Sequence, residues 1–193
     1  MAEEGYSHAE RLHVFIEEII KEAGITFQDL IAVAVSQGPG SYTGLRIGVS
    51  AAKGLCYALG IPLIAIDTLQ VLASQATISS GLIIPMLDAR RMEVYSAIFS
   101  PNFESRRAVQ AEIITENSFE KLQETLYFVG DCAEKCKPVL TKDNFIFLGD
   151  IKYPSAKEMS GLSFEKHQKN DAVDVAYFEP YYLKDFMTTV SKK

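Results

Sequence analysis

The stretch from Ile31 to Gly48, IAVAVSQGPGSYTGLRIG, constrains this chain more than any other. Its opening run, IAVAV, is short, apolar and flanked by polar or glycine-rich sequence, which reads as a buried strand. Gly38, Pro39, Gly40 and Gly44 then make a tight turn, and a helix from about Tyr42 to Leu59 follows, stopped by Gly60. That helix carries Gly48, Ser50, Ala51, Ala52, Gly54 and Ala58, whose small side chains let another element come close to its backbone. Strand, glycine turn and helix in this order open an α/β layer.

The rest of the chain extends that series. Ser7 and Glu10 form an S-x-x-E capping box, and Leu12, Phe15, Ile16, Ile19, Ile20 and Ala23 recur at helical spacing up to Gly24. After Gly60 come a strand at Leu63–Ile66 and a helix at Leu69–Ala76, and small and polar residues from Thr77 to Gly81 break the pattern. Strands at Leu82–Leu87, Glu93–Phe99 and about Val109–Ile114 read as consecutive hairpins. A helix near Ser118–Glu124, strand Tyr127–Val129, helix Ala133–Cys136, strand Phe145–Leu148 and helix Ser155–His167 follow.

The second series equals the first with three strands placed ahead of it. The sequence therefore predicts one α/β unit used twice, residues 1–77 as an N-terminal half and 78–193 as a C-terminal half whose tail packs back on the first. Without its three strands the first half reads as truncated, because the strand at Ile31 would expose an apolar edge. Three short strands and two turns imply an upstream segment of roughly 25 to 35 residues.

Composition narrows the function classes. With 19 basic and 25 acidic side chains the net charge is −6 and the pI about 5.1. This argues against unaided electrostatic capture of nucleic acid, so any RNA or DNA contact is expected to be shared with a partner. Cys56, Cys132 and Cys136 lack the paired spacing of a structural zinc site and fit a reducing cytoplasm, although Cys132 and Cys136 can meet on one helix face. The N-terminal MAEEGYSHAERLHV holds no apolar core of signal-peptide length, and no run approaches a membrane span.

The glycine turn invites an anion. Backbone N–H groups at a helix start cradle phosphate, and Gly38, Gly40, Ser41, Thr43 and Gly44, with Arg46 as counter-charge, are the candidates. The spacing matches neither the Walker A loop, since Leu45 stands where lysine is required, nor GxGxxG. Ser41 or Thr43 could equally serve as a helix cap.

The long stretch VAVSQGPGSYTGLRIGVSAAKGLCYALGIPLIAIDTLQVLA resembles the signature of the bacterial TsaB (YeaZ) family of tRNA threonylcarbamoyladenosine biosynthesis. IPMLDARRMEVYSAIF, FVGDCAEK, YPSAKEM and PYYLKDF resemble further family segments in the expected order, so the likeness spans the chain. The family's opening strand and hairpin, with an IDTS-like motif, has no counterpart here. The resemblance implies a duplicated two-domain α/β fold like those of actin, sugar kinases and Hsp70 (ribonuclease H-like). It implies a non-catalytic scaffold for the TsaD threonylcarbamoyltransferase, joined by the ATPase TsaE, acting on the adenosine next to the tRNA anticodon.

Enzymatic alternatives have less in the residues to support them. A glycoprotease-like hydrolase would need a nucleophile elbow, yet glycine directly precedes Ser41 and GxSxG is absent. His8 and His13, five apart, share a helix face poorly, so no metal site is assigned. Asp67, Asp88 and Glu93 are candidate acids at strand ends, where acids also cap turns, and Arg90 and Arg91 beside Asp88 suggest a surface ion pair. Phosphoryl transfer lacks its lysine and metal ligands, which leaves no cofactor, or passive ATP or ADP binding at a partner interface. For the scaffold reading, the two helices would lie side by side and offer Leu12, Phe15, Ile16, Ile19, Gly48, Ala51 and Ala52 to a TsaD-type heterodimer or a competing homodimer.

Overall fold

The computed structural model describes residues 8–90 and 92–183. The Ser7 cap, Arg91 and the PYYLKDF residues beyond Leu183 lie outside them. Contacts group the chain up to Ile66 with the segment from Ser163 onward, and Asp67–Leu162 by itself, whereas the sequence places the division at Thr77. Among the described residues no helix is long and apolar enough to cross a membrane.

The first unit holds α1 (His8–Glu22), a short 3-10 turn (Phe27–Asp29), β1 (Val33–Gly38), α2 (Tyr42–Leu59) and β2 (Leu63–Asp67). Strand β1 begins and ends later than IAVAV suggests, so Ile31 lies before it, 65% exposed. Helix α2 has the limits its sequence signals predict. Ser41 caps its start by accepting the Gly44 N–H, and Gly60 ends it in the left-handed region, φ 67°, with its N–H on the Cys56 carbonyl.

β1 and β2 pair, and Val173 adds an antiparallel bridge to Leu63. Ala52, Cys56 and Leu63 are the buried centre of this unit, packed on Val33, Val35, Ile61, Val173, Val175 and Phe178. No residue of the described part of α1 is fully buried.

The second unit is a five-stranded sheet ordered β5-β4-β3-β6-β7, from β3 (Leu82–Asp88), β4 (Glu93–Phe99), β5 (Ser105–Ile113), β6 (Leu126–Val129) and β7 (Phe145–Phe147). β3–β4 and β4–β5 are antiparallel, β3–β6 and β6–β7 parallel. Strand alternation sends Ile84, Met86, Val94, Ile98 and Phe128 to one face, where α4 (Ala133–Cys136) packs. Ile83, Ala97, Phe99 and Val129 go to the other, under Leu69, Leu72 and Ala73 of α3 (Thr68–Ala73). Helix α5 (Ala156–Gln168) comes last.

The helix expected near Ser118–Glu124 is instead a run of turns. Phe119 adopts φ 62°, which ends any right-handed helix, yet Phe119 and Leu122 still reach the core as a helical i, i+3 pair would. The spacing that suggested a helix was a burial pattern shared by both geometries.

Asp67, one of the candidate acids, has a structural task. Its Oδ1 accepts the N–H groups of Leu69 (2.7 Å) and Gln70 (3.2 Å), capping α3. Burial pushes its carboxyl above the ordinary range, against the lowering effect of those two bonds. A raised folded-state value favours the neutral form, so its stabilising share is present at low pH and is lost as the pH rises through that value. At pH 7, Asp67→Asn should therefore match or exceed the parent in urea melts, keeping the cap without the buried charge. Asp67→Ala should lose about 1 kcal/mol. Equal losses in both variants would contradict the capping role.

Candidate docking site

The glycine turn is occupied by the chain's own C-terminal segment, residues 173–182, which forms a strap over the first unit. The Tyr181 N–H donates to the Gln37 carbonyl at 2.7 Å. Gly38 has φ 117°, and a Cβ there would stand 2.6 Å from the Tyr181 carbonyl oxygen, so only glycine fits beneath the strap. The ring of Tyr182 lies 4.9 Å from that of Tyr42. Arg46 sits over the Tyr42 ring at 4.4 Å, and its Nε donates to the Tyr182 hydroxyl at 3.4 Å, which raises its already high pKa. Lys53, two turns further along α2, donates to the carbonyls of Ala176 (3.1 Å) and Phe178 (2.9 Å).

These bonds bear on the anion candidates residue by residue. Ser41 is spent on the Gly44 N–H, the Leu45 N–H goes to the Ser41 carbonyl, and Arg46 is shared by two tyrosines. Gly38 and Pro39 are buried, while Gly40, Thr43 and Gly44 are exposed. The structure thus brings the candidates together, but places tyrosines beside them.

The other candidate acids divide similarly. Asp88 forms a 2.8 Å ion pair with Lys135 and accepts the Arg90 N–H at 3.1 Å; the lysine bond holds its carboxyl below the usual range. Asp131 accepts the Asp88 N–H. Cys132 and Cys136 are buried side by side, each a free thiol, with the first pushed up and the second down by their mutual hydrogen bond. Among the described residues, no group of three or more His, Cys, Asp and Glu side chains could hold a metal.

What the first unit does leave open is a groove between α1 and α2, lined by His13, Ile47, Ser50, Ala51, Gly54 and Leu55. Its floor is small-residue helix: a Cβ at Gly54 would meet nothing within 4 Å. Of the docking candidates, Ala51 lines this groove, whereas Ala52 is only 6% exposed and belongs to the core. A Cβ on Gly48 would point to Val35 of β1. On α1, Leu12 and Ile16 are half-buried, and Phe15 (43%) and Ile19 (63%) are exposed. At 100° per residue Phe15 and Ile19 fall on the flank of α1 away from His13, so the apolar surface has two parts. Arg11 covers one face of the Phe15 ring at 4.8 Å.

Sequence reasoning marked Ser50 and Gly54 as small residues open to a close approach without placing them among the docking candidates, and missed His13, Ile47 and Leu55. Gly54 was the readable signal, since an interior helix glycine costs stability and needs a reason. The strap had no such signal, because Arg46 and Tyr182 are 136 positions apart.

Comparison with known proteins places this architecture. The sequence matches the family described as "TsaD: tRNA N6-adenosine threonylcarbamoyltransferase" over residues 4–188. It is 29% identical over 191 residues to the tRNA threonylcarbamoyladenosine biosynthesis protein TsaB of Bacillus subtilis, covering 92% of this chain and 80% of that protein. It is 29% identical over 189 residues to TsaB of Escherichia coli, covering 92% and 81%. The solved structure of YeaZ from Pseudomonas aeruginosa superposes with a TM-score of 0.79 at 24% identity, over 91% of this chain and 84% of that one. Because the matched span includes α1, the glycine turn, the five-stranded sheet and the strap, the likeness is not that of one loop: the chain belongs to the TsaD threonylcarbamoyltransferase family, in its TsaB (YeaZ) group.

Proposed function

We propose that this chain is a non-catalytic scaffold subunit in the cytoplasm, which binds a TsaD-type threonylcarbamoyltransferase and supports threonylcarbamoyladenosine modification of tRNA next to the anticodon. The observation that carries this reading is the contrast within the first unit. Its glycine turn is bonded to its own strap, while the α1/α2 groove keeps an apolar, small-residue floor that no other described residue covers. The family match covers α1 and α2, so a transferase of this family carries counterparts of both helices, and two such pairs can meet as a four-helix contact. A second copy of this chain could compete for the same seat, and a TsaE-type ATPase would join the assembled pair. The net charge of −6 leaves tRNA capture to the partners.

Light scattering on a size-exclusion column tests this directly. Mixed with a bacterial TsaD-type subunit, the chain should elute as a one-to-one complex, and Ala51→Glu, which puts a charge on the groove floor, should break it. Separate elution of the unaltered proteins would overturn the reading.

A further inference from the structure

Strand β5 is an outer edge of the five-stranded sheet and, at nine residues, its longest strand. An open edge of that length offers a row of N–H and C=O groups to another strand, and proteins blunt such edges with bulges, charges or proline. β5 carries those devices in its first part. Its register against β4 slips between Ser96 and Ile98 and again between Ile98 and Phe99, over residues 105–110 of β5. Arg106 and Arg107 lie in the same stretch, paired with Glu104 and Glu112. Over residues 110–113 the register is unbroken, no proline or lysine interrupts it, and Ile113 is 68% exposed.

The ladder to β4 decides which backbone groups are left over. The Ile114 N–H donates to the Met92 carbonyl at 3.0 Å, and hydrogen-bonded pairs alternate along antiparallel strands. Glu112 and Gln110 therefore turn their backbone groups to β4, while Ala111 and Ile113 turn theirs outward. Side chains alternate too: Gln110 and Glu112 share a face with Val94 and Ser96, and Ala111 and Ile113 share the other with Tyr95 and Glu93. Val109 packs on the same core cluster as Tyr95.

This edge is complementary to itself. With a two-fold axis at Ala111, the two copies of Ala111 exchange both backbone hydrogen bonds, Ile113 lies opposite Val109, and Glu112 lies opposite Gln110. An exposed apolar side chain then meets an apolar one, and a carboxylate meets a neutral amide. An axis at Glu112 would set two carboxylates face to face, and an axis at Ile113 would carry the pairing past the end of the strand to Thr115.

We propose that the outer edge of β5 is an interaction surface for a second copy of this chain, the two strands pairing antiparallel about Ala111 so that their sheets join edge to edge. No β5 residue lines the α1/α2 groove, so this pairing is independent of the scaffold reading.

Cysteine cross-linking in the full chain tests it. The three native cysteines are buried, and Ala111→Cys adds an exposed thiol on the axis, where paired Cα atoms stand about 5.5 Å apart and within reach of a disulfide. Mild oxidation with copper phenanthroline should turn it into a linked dimer on a non-reducing gel. Ala108→Cys, exposed on the same strand but three residues from the axis, should stay monomeric, because its two copies would stand roughly 20 Å apart. Adding Ile113→Lys to Ala111→Cys puts a charge opposite Val109 and should cut the linked fraction about fivefold. No dimer with Ala111→Cys, as a strand of a different protein on this edge would give, overturns the pairing. Equal linking of the two cysteine variants, or a linked fraction indifferent to Ile113→Lys, overturns it as well.

Discussion

Gly130→Ala is expected to destabilise the five-stranded unit severely. Gly130 follows β6 directly, with φ 119°, and donates its N–H to the Ile151 carbonyl at 2.8 Å. A Cβ there would stand 1.8 Å from the Met86 carbonyl oxygen and 2.8 Å from its carbon, on the central strand β3. Neither atom can step aside, because Met86 is fully buried and pairs with Ser96 of β4. The substitution therefore combines a backbone clash with a left-handed conformation that alanine resists, and should cost at least about 4 kcal/mol. Since whole domains are stable by only about 5–15 kcal/mol, that loss removes a large share of the stability and brings a domain at the low end of the range close to its unfolding point. Urea unfolding followed by circular dichroism checks this, and a midpoint close to that of the parent would refute the geometry at β3 and β6.

Gly54 should behave in the opposite way. It sits inside α2 with open space where a side chain would go, so Gly54→Ala removes the helix penalty of glycine and should stabilise the isolated chain by about 0.5–1 kcal/mol. Gly54→Leu should fold equally well, leucine being a good helix former, and its side chain would fill the groove between His13 and Leu55. A filled seat should lower affinity for the partner about a hundredfold, or about 2.7 kcal/mol. The pair of variants separates stability from docking: a melting point that rises while binding disappears is the expected combination. Loss of the fold in either variant would refute the open space at Gly54, and full affinity with leucine would mean that the groove is not where the partner sits.

The elements that the sequence announced share a local cause. Ser41, Gly60 and Asp67 each bond or bend within four residues, so helix ends at Tyr42, Leu59 and Thr68 could be read from single side chains. β3 and β4 were legible as largely apolar runs because each strand faces two cores, with Ile84, Met86, Val94 and Ile98 on one side and Ile83, Ala97 and Phe99 on the other. What escaped were contacts without local grammar. Helical periodicity marks α2 as rich in small residues, but only packing shows that Ala52 faces Leu63 while Ala51 faces the groove. The glycine turn looked like an anion cradle because its intramolecular partner, the strap with Tyr181 and Tyr182, lies near the far end of the chain. Phe119 misled for the converse reason, a turn that buries residues at helical spacing.

The strap also orders events in time. The five-stranded unit is continuous, Asp67–Leu162, so all of its strands leave the ribosome before the strap is made. The first unit emerges earlier yet finishes later: its centre around Leu63 needs Val173, Val175 and Phe178, and Lys53 has no carbonyls to hold until Ala176 and Phe178 arrive. Contacts of such long sequence separation form slowly. Until Val173, Val175 and Phe178 are made, α2 and β2 therefore lack part of their core, although every strand of the five-stranded sheet has already been translated.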